Sequence, residues 1–540
     1  MMDPRTKDIA KIRRNGSFDV VVVGGGINGI GTFRDLALQG LRVLLVERED
    51  FCSGCSAAPS RMIHGGLRYL ENGEFNLVRE SLFERDALLR NAPHMVFPLP
   101  TAVPVNSIFS GLLNASMSFF GMKGRPRPRG ILPVKLGLSL YDLLTRKRRV
   151  LPAHEVFSRR EALSRWPELS PDLQFAAVYH DAWISHPERL AIELVLDAEA
   201  DNDDAIALNY ATITPAGNGF SITDKETGEV LSISTRALVN ATGAWLDDTM
   251  EDLGVRSGEK LVSGTKGSHL ILDNPALMNA LHGHMVYFEN TDGRVCIVFP
   301  YLGKVLAGAT DIRVKQVGRV RCEDDERDYI LNSLRLIFPQ LTISETDIVY
   351  SYSGIRPLPT ADVEFTGRIS REHFTRRVNG SVPQFCMVGG KWTTFRAFAE
   401  QTTDMVLAEL GVPRRASTRD LAIGGGKGEQ PSMRDRRADL YGSRAEQVPA
   451  DPTCIAGSGL TEGEVRFLID HEKARKLADV LQRRQSLAIT GRLSGSVIRG
   501  TAQAMAGVLG WDAPRVNSEV TGFVSELVNY HGVSPEILGE

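Results

Sequence analysis

The sequence predicts a three-part chain: an α/β domain built on a parallel sheet, a second domain with a mixed or antiparallel sheet, and an α-helical C-terminal domain. Three observations lead to this expectation. Near the start, a strand, a glycine-rich turn, a helix and a second strand follow one another, and that order builds a parallel sheet covered by helices. The middle of the chain alternates apolar and polar residues, as antiparallel strands do. The last part has the apolar spacing of helices.

The composition allows a large folded core. Of the 540 residues, 42% are hydrophobic and 24% are charged, so we expect two or three domains. The formal net charge of −3 gives no overall reason to expect nucleic acid as a partner. The polar start lacks the apolar core of a secretory signal, which predicts a cytoplasmic protein. Six cysteines fit a reducing compartment.

The order of patterns indicates that the first domain is discontinuous. Buried-strand patterns recur late, in "ALVNATGAW" at 237–245 and in "FCMVGGK" at 385–391. We therefore expect the chain to leave the first domain, build a second and return. The predicted boundaries are a polar tail at 1–17, the first domain at 18–100, 195–262 and 350–412, a cap domain at 101–194 and 263–349, and a helical domain at 413–540.

The C-terminal part begins with a polar connector, "IGGGKGEQPSMRDRR". Helical spacing then appears in "TEGEVRFLIDHEKARKLADVLQRRQ" and in "SEVTGFVSELVNY". Thr461, followed three residues later by Glu464, predicts a capping box at the start of the first of these helices.

The glycine-rich turn carries a nucleotide-binding pattern, G-x-G-x-x-G, between a strand and a helix. Gly24 permits the tight turn, Gly26 lets the backbone approach a pyrophosphate, and Gly29 allows close packing of the helix. The free N–H groups of the helix attract phosphates. Glu47 ends the second strand 18 residues after Gly29, where a carboxylate accepts ribose hydroxyls and disfavours NADP. The expected contacts in the turn are Gly24, Gly26, Ile27, Asn28 and Gly29.

Two features favour FAD over NAD as the dinucleotide. After Glu47 the chain continues into a long Ser- and Gly-rich loop, "CSGCSAAPSRMIHGG", which would cover a large, extended cofactor. A late strand ends in Ala241, Thr242 and Gly243, where many two-domain flavoproteins return to the FAD site. The first domain is therefore predicted to be an FAD-binding Rossmann-like domain.

These motifs resemble those of the FAD-dependent glycerol-3-phosphate dehydrogenases, membrane-associated enzymes that pass electrons to quinone. The similarity runs from about residue 18 into the helical region, in the family's order, through "GGGINGIG", "RMIHGGLRYLENGEFNLVRESLFER", "KGSHLIL", "YSGIRPL" and "GGKWTTFR". The resemblance implies a two-domain flavoprotein oxidoreductase with a mixed-sheet substrate domain. It implies oxidation of sn-glycerol 3-phosphate to dihydroxyacetone phosphate by hydride transfer to flavin, with membrane quinone as the next acceptor.

The resemblance also implies where substrate binds. Arg356 in "GIRPL" and Arg371 in "ISREH" match the family's phosphate ligands, and guanidinium forks suit bidentate phosphate contacts. Arg68 in "HGGLRY" is expected beside the flavin and the substrate, with a part in catalysis and in substrate binding.

Catalysis is expected to need a base and a group that stabilises negative charge. His64 and His269 are alternatives for the base, since either imidazole could work near neutral pH, and the sequence does not choose between them. By resemblance, Lys391 binds the substrate hydroxyl and stabilises the charge that develops. The further expected cofactor contacts are Ser56, Ser60, His64, Ala241, Thr242, Gly243, Gly390, Lys391 and Thr393.

The loop after Glu47 contains two departures from the family pattern. Cys52 and Cys55 form a C-x-x-C, which alone would allow thiol redox or metal chemistry. It lacks the second ligand pair of a structural zinc site and a thioredoxin-like context, so we expect bystander cysteines and no metal. Arg61 stands where the family commonly carries Lys, which leaves the pyrophosphate contacts open.

The segment 107–149 combines an apolar stretch, "SIFSGLLNASMSFFGM", with the basic "KGRPRPRG" and "RKRRV". This composition suits a segment on an anionic membrane surface, although a core helix followed by a solvated loop has the same composition. We expect peripheral attachment at the cytoplasmic face. The sequence has no apolar run of about 18 residues, so no spanning helix is predicted.

Several alternatives stay open at this point. A longer alditol phosphate, such as erythritol phosphate, would need the same motifs, and oxygen could replace quinone in an oxidase. A flavin-binding sensor recruited to membranes would be the non-enzymatic alternative. The sequence is also compatible with a homodimer.

Overall fold

The computed structural model describes residues 4–66, 74–105, 138–139, 150–255, 258–360, 371–430 and 435–539. Arg68 lies outside the described residues, as does all of the predicted membrane-surface segment 107–149 except residues 138 and 139.

The strands, in chain order, are β1 (Ser17–Val23), β2 (Val43–Val46), β3 (Met62–Ile63), β4 (Val96–Val105), β5 (Glu155–Ser158), β6 (Phe175–Ile184), β7 (Ala205–Leu208), β8 (Ala211–Ala216), β9 (Gly219–Asp224), β10 (Val230–Asn240), β11 (Val262–Leu272), β12 (Met285–Glu289), β13 (Val295–Tyr301), β14 (Lys304–Gly308), β15 (Ile312–Arg313), β16 (Ile348–Pro359), β17 (Phe374–Asn379) and β18 (Pro383–Val388).

The helices are α1 (Pro4–Arg14), α2 (Ile27–Leu38), α3 (Phe75–Asn91), α4 (Arg159–Arg165), α5 (Pro187–Asp201), α6 (Leu246–Asp252), α7 (Pro275–Ala280), α8 (Asp324–Ile337), α9 (Phe395–Leu410), α10 (Arg436–Tyr441), α11 (Glu462–Glu472), α12 (Gly495–Leu509), α13 (Ala513–His531) and α14 (Pro535–Leu538). A π-helical turn spans Asp479–Arg484.

The first sheet has the order β17-β18-β10-β1-β2-β7. Strands β18, β10, β1, β2 and β7 are parallel. Strand β1 is buried on both faces, because Val20 and Val22 pack on the covering helices and Val21 and Val23 pack on a second cluster that includes residues of α1, β8 and β9. Helix α2 packs between α5 and α9. The carboxyl end of β1 and the N-terminus of α2 therefore meet at the sheet edge where α/β proteins bind ligands.

The second sheet has the order β15-β11-β14-β13-β12-β4-β6-β3, with β16 paired to β11 and β5 to β6. Most of its pairs are antiparallel, whereas β12 and β4 are parallel. The predicted fold class, a parallel-sheet domain beside a mixed-sheet domain with helices at the C-terminus, is confirmed.

Several predicted boundaries differ in the structure. Strand β3 and residues 96–100 of β4 were predicted within the first domain but pair with β6 in the second sheet. β16 pairs antiparallel with β11 over nearly its whole length, so residues 350–359 belong to the second sheet and not to the parallel domain in which 350–412 was placed. The predicted polar tail at 1–17 contains α1, because Ile9 and Ile12 pack on an apolar cluster. Arg5 is also buried, and its guanidinium lies 2.6 Å from Asp224.

The C-terminal part is helical, as predicted. Thr461 caps α11 by accepting the Glu464 N–H at 3.1 Å. The Glu464 carboxylate does not complete the predicted capping box, because it is buried and accepts hydrogen bonds from Tyr441 and Gln485. Within the described ranges, no helix combines the length and apolar character needed to cross a membrane.

Candidate active site

The glycine turn is closed by backbone contacts that leave no room for side chains at two positions. Gly24 has φ +107°, and a Cβ there would lie 2.7 Å from the Ala241 carbonyl oxygen. A Cβ at Gly29 would collide with the Gly24 carbonyl oxygen. The turn therefore packs directly against the end of β10, where Thr242 and Gly243 follow.

The N-terminus of α2 has more free space than the positions of Gly24 and Gly29. A Cβ at Gly26 would meet only Ser56 Oγ, at 3.3 Å, and the Ile27 N–H donates to that same oxygen at 3.0 Å. Backbone N–H groups at a helix N-terminus, beside a position without a side chain, form a cradle for a phosphate. The residues present thus fit the pyrophosphate of a dinucleotide.

Glu47 lies at the other side of this turn. Its carboxylate accepts hydrogen bonds from the N–H groups of Gly25 at 2.6 Å and Glu49 at 2.9 Å. Burial raises the pKa of Glu47, against the effect of these hydrogen bonds. The carboxylate is therefore held at the end of β2, the position from which dinucleotide folds bind ribose.

A second glycine pair brings the chain back to this turn. Gly389 and Gly390 have φ +81° and +98°, and Asn28 Nδ2 donates to the Gly389 carbonyl at 3.2 Å. A Cβ at Gly390 would collide with the Asn28 amide. Three residues later, Thr393 Oγ1 accepts the backbone N–H of His64 at 3.2 Å, so the structure brings three distant segments of predicted residues together.

Lys391 follows the glycine pair. Burial lowers the pKa of Lys391 to about 7; the Glu80 carboxylate opposes this shift and Arg371 adds to it. Glu80 lies 3.6 Å from His373 Nε2. Lys391 therefore has an ammonium that is readily deprotonated near neutral pH and sits among charged neighbours.

Both predicted phosphate arginines converge on Asp311. Arg356 Nη1 donates to Asp311 Oδ1 at 3.1 Å and to the Thr310 carbonyl at 3.2 Å. Arg371 Nη2 lies 3.6 Å from Asp311 Oδ2. The side chains of Arg356 and Arg371 are only about a quarter exposed, at 25% and 23%, and they form a partly buried cationic pair.

His269 lies on β11, next to the strand that carries Arg356. Its ring stacks on Tyr352, with centroids 5.0 Å apart and planes at 15°, and a Cβ at Gly267 would collide with the Arg356 guanidinium. Burial lowers the pKa of His269 to about 3, and Arg356 lowers it further. Neither ring nitrogen has a hydrogen-bond partner among the described residues.

His64 is held differently. Burial lowers its pKa to about 4, and the Asp181 carboxylate opposes the shift. The N–H of the next residue, Gly65, donates to Asp181 Oδ1 at 3.0 Å. Both imidazoles are therefore neutral near pH 7 and able to accept a proton.

Asp311 is not among the residues predicted for the site; a buried network holds the preceding residue, Thr310. Glu326 accepts hydrogen bonds from Thr310 Oγ1 at 2.6 Å and Ser268 Oγ at 2.8 Å, and it pairs with Lys266 Nζ at 2.5 Å. Thr310 and Ser268 each immediately precede a residue of the site. No local pattern distinguishes this aspartate, because its partners come from strands distant in sequence.

The remaining predicted residues of the loop after Glu47 make contacts within the protein. Arg61 does not reach the phosphate cradle, because its guanidinium binds Glu188 at 2.8 and 3.1 Å. Ser60 is half-buried in the same loop. Cys52 and Cys55 are free thiols, and burial raises the pKa of both, which disfavours the reactive thiolate. The described residues contain no cluster with the ligands of a metal ion.

Two protein families match this chain. The family described as FAD dependent oxidoreductase matches residues 19–405. The family described as C-terminal domain of alpha-glycerophosphate oxidase matches residues 384–516. Together they cover the two sheets and most of the helical domain.

Two curated relatives and one solved structure are similar over most of the chain. A glycerol-3-phosphate dehydrogenase of Synechocystis is 32% identical, covering 94% of this chain and 96% of that protein. A D-erythritol 1-phosphate dehydrogenase of Brucella abortus is 31% identical, covering 86% and 93%. The structure of a Bacillus halodurans glycerol-3-phosphate dehydrogenase complexed with FAD shares the fold, with TM-score 0.74, 23% identity and 97% coverage of both chains.

Proposed function

Because the chain belongs to the FAD-dependent glycerol-3-phosphate dehydrogenase family, we propose that it oxidises sn-glycerol 3-phosphate to dihydroxyacetone phosphate and passes the electrons to a membrane quinone. The convergence of Arg356 and Arg371 on Asp311, beside His269, is the observation that carries this proposal. When bound, FAD supplies the acceptor for the hydride that leaves C2 of the substrate.

The two arginines bind the phosphate of the substrate. Each guanidinium presents a planar set of N–H donors that matches phosphate oxygens, and partial burial strengthens the attraction because less water screens it. Asp311 orients both groups and leaves their other N–H donors for the ligand. The expected contribution of Arg68 to the same site remains part of the proposal.

His269 removes the proton of the C2 hydroxyl. Its ring nitrogens have no partner in the described part of the chain, and its low pKa keeps it neutral at physiological pH. A neutral imidazole with unpartnered ring nitrogens beside the phosphate arginines can accept a proton, although its low pKa makes it a weaker base than an imidazole that titrates near pH 7. His64 is the alternative base, and the hydrogen bond from its backbone N–H to Thr393, a proposed cofactor contact, supports this role.

Lys391 stabilises the oxygen from which that proton leaves. Its protonated form adds positive charge where negative charge develops, which lowers the barrier to hydride departure. The proposed cofactor contacts are the glycine turn, Glu47, Ser56, the end of β10 and the turn at Gly390 and Thr393.

A longer alditol phosphate is the second candidate substrate, because a relative of nearly equal similarity is named for D-erythritol 1-phosphate. Oxygen is the second candidate acceptor, because the C-terminal match is to an oxidase domain. Attachment to the cytoplasmic face of an anionic membrane belongs to the proposal and rests on the apolar and basic sequence of 107–149.

The decisive test is anaerobic reduction of the bound flavin. The protein is purified in detergent and mixed with glycerol 3-phosphate or with D-erythritol 1-phosphate, and the visible flavin absorbance is followed. Bleaching by glycerol 3-phosphate that a quinone analogue reverses supports the full proposal. Faster bleaching by the erythritol compound overturns the substrate, reoxidation by oxygen but not by quinone overturns the acceptor, and no bleaching by either compound favours a sensor.

A further inference from the structure

We propose that the C-terminal helical domain retains FAD by holding both ends of one loop, residues 50–61, hereafter the cofactor loop. The proposal goes beyond the reaction, because it concerns cofactor retention and holds for any polyol phosphate substrate. It rests on a continuous set of buried ion pairs that joins the loop to the helical domain.

The first end of the cofactor loop is held through Asp50. Arg484 Nη1 and Nη2 donate to its two carboxylate oxygens at 2.6 and 3.0 Å, and Arg483 Nε donates at 2.8 Å. Asp50 and Arg484 have no exposed side-chain surface. Both arginines lie on the π-helical turn of the helical domain, so the carboxylate three residues after Glu47 is fixed from outside its own domain.

The second end is held through Arg61. Its guanidinium forms a bidentate pair with Glu188, in the first turn of α5. The next residue, Arg189, forms a bidentate pair with Glu472 of α11, with both distances 2.8 Å. The helical domain therefore fixes the segment of α5 that holds Arg61.

The two ends are connected through Glu472. Arg484, which binds Asp50, also donates to the Glu472 backbone carbonyl at 2.9 Å. The Glu472 carboxylate binds Arg189. The sequence of contacts from Asp50 to Arg61 is thus buried throughout, and loss of one member leaves a buried charge without its full complement of partners.

The middle of the cofactor loop contacts the phosphate cradle. Ser56 Oγ accepts the first N–H of α2, from Ile27, and the Ser56 carbonyl accepts Trp392 Nε1 at 2.9 Å. The Cys52 N–H donates to the Gly25 carbonyl at 2.8 Å. A displacement of either loop end therefore moves groups that line the FAD site, although no residue of the helical domain needs to touch the cofactor.

The test compares R484K with R436Q in the holoenzyme. R484K keeps the positive charge but loses the bidentate geometry at Asp50. R436Q removes an arginine of the same domain that binds Glu464 and Gln485 and does not contact the cofactor loop. The readouts are the FAD dissociation constant, from flavin fluorescence on dilution without substrate, and hydrogen exchange of a peptide spanning the loop.

We expect R484K to weaken FAD binding at least tenfold and to speed exchange in the cofactor loop but not in β1, while R436Q keeps wild-type values of both. Unchanged FAD affinity in R484K, or an equal loss in R436Q, overturns the proposal. If R484K does not fold, R483Q tests the same carboxylate from a side chain that is 12% exposed. A several-fold weaker FAD affinity in R483Q supports the proposal, and an unchanged one overturns it.

Discussion

Asp311 Oδ1 lies 3.1 Å from Arg356 Nη1, so an acidic side chain is built into a site that is expected to bind a phosphate. Asp311 also approaches Arg371 at 3.6 Å. We expect D311N to lower kcat about tenfold or more while KM changes less, because a misplacement of about 1 Å can cost up to roughly a hundredfold in rate and the cationic charge is retained. Steady-state kinetics with glycerol 3-phosphate checks this.

The control for that variant is D273N, which breaks the exposed pair between Asp273 and Lys304. An exposed pair contributes about 0–1 kcal/mol, so kcat and KM should both stay at wild-type values. If D311N keeps its kcat and only binds substrate more tightly, Asp311 does not orient the arginines.

R356A should raise KM for glycerol 3-phosphate about 10- to 100-fold, since hydrogen bonds to charged groups contribute roughly 1.5–3 kcal/mol. The measurement is KM by quinone-analogue reduction, with R321A as the matched variant, because Arg321 pairs with Glu323 at the surface. An unchanged KM in R356A would remove this arginine from the phosphate site.

Two glycine variants should separate the role of the turn in protein stability from its role in FAD binding. G26A should fold, because its Cβ meets only Ser56 Oγ, yet lose FAD affinity about tenfold or more by narrowing the cradle. G29A should destabilise the protein by about 1–3 kcal/mol or more, because its Cβ collides with backbone. Thermal unfolding and flavin content measure the two effects. Full FAD occupancy in G26A would place the pyrophosphate elsewhere.

The activity should fall as pH rises through about 7. Burial lowers the pKa of Lys391 to about 7, so the ammonium that stabilises negative charge is present below that pH and is lost above it. The imidazole of His269, with a pKa of about 3, stays neutral over the same range. The pH profile of kcat/KM, which reports ionisations of the free enzyme, should therefore have a descending limb near pH 7.

K391R is the variant that assigns this limb. Arginine stays protonated at all accessible pH values, so K391R should keep some activity and lose the limb near pH 7. A wild-type kcat/KM that rises through pH 7 would mean instead that neutral Lys391 acts as a base.

The features that the sequence predicted well depend on neighbours along the chain. The turn at Gly24 and the helix after it follow from residue order, since φ values and helix starts are set locally. The domain boundary predicted at residue 350 cuts through β16, because an alternating pattern predicts an antiparallel strand but does not show which strand it pairs with. The N-terminal helix was missed, because only two apolar residues, Ile9 and Ile12, mark it.

By itself the sequence determined the fold class and the dinucleotide site, because glycine spacing and strand patterns act over short distances, and the resemblance of its motifs identified the FAD-dependent family. Only the tertiary structure decided which charges meet: Arg356 with Asp311, and Asp50 with Arg484. It also set the surroundings of His64 and His269, because burial and hydrogen bonding set a pKa and depend on strands far apart in the chain. Contacts between distant residues arise from sheet pairing and domain packing, which no local pattern encodes.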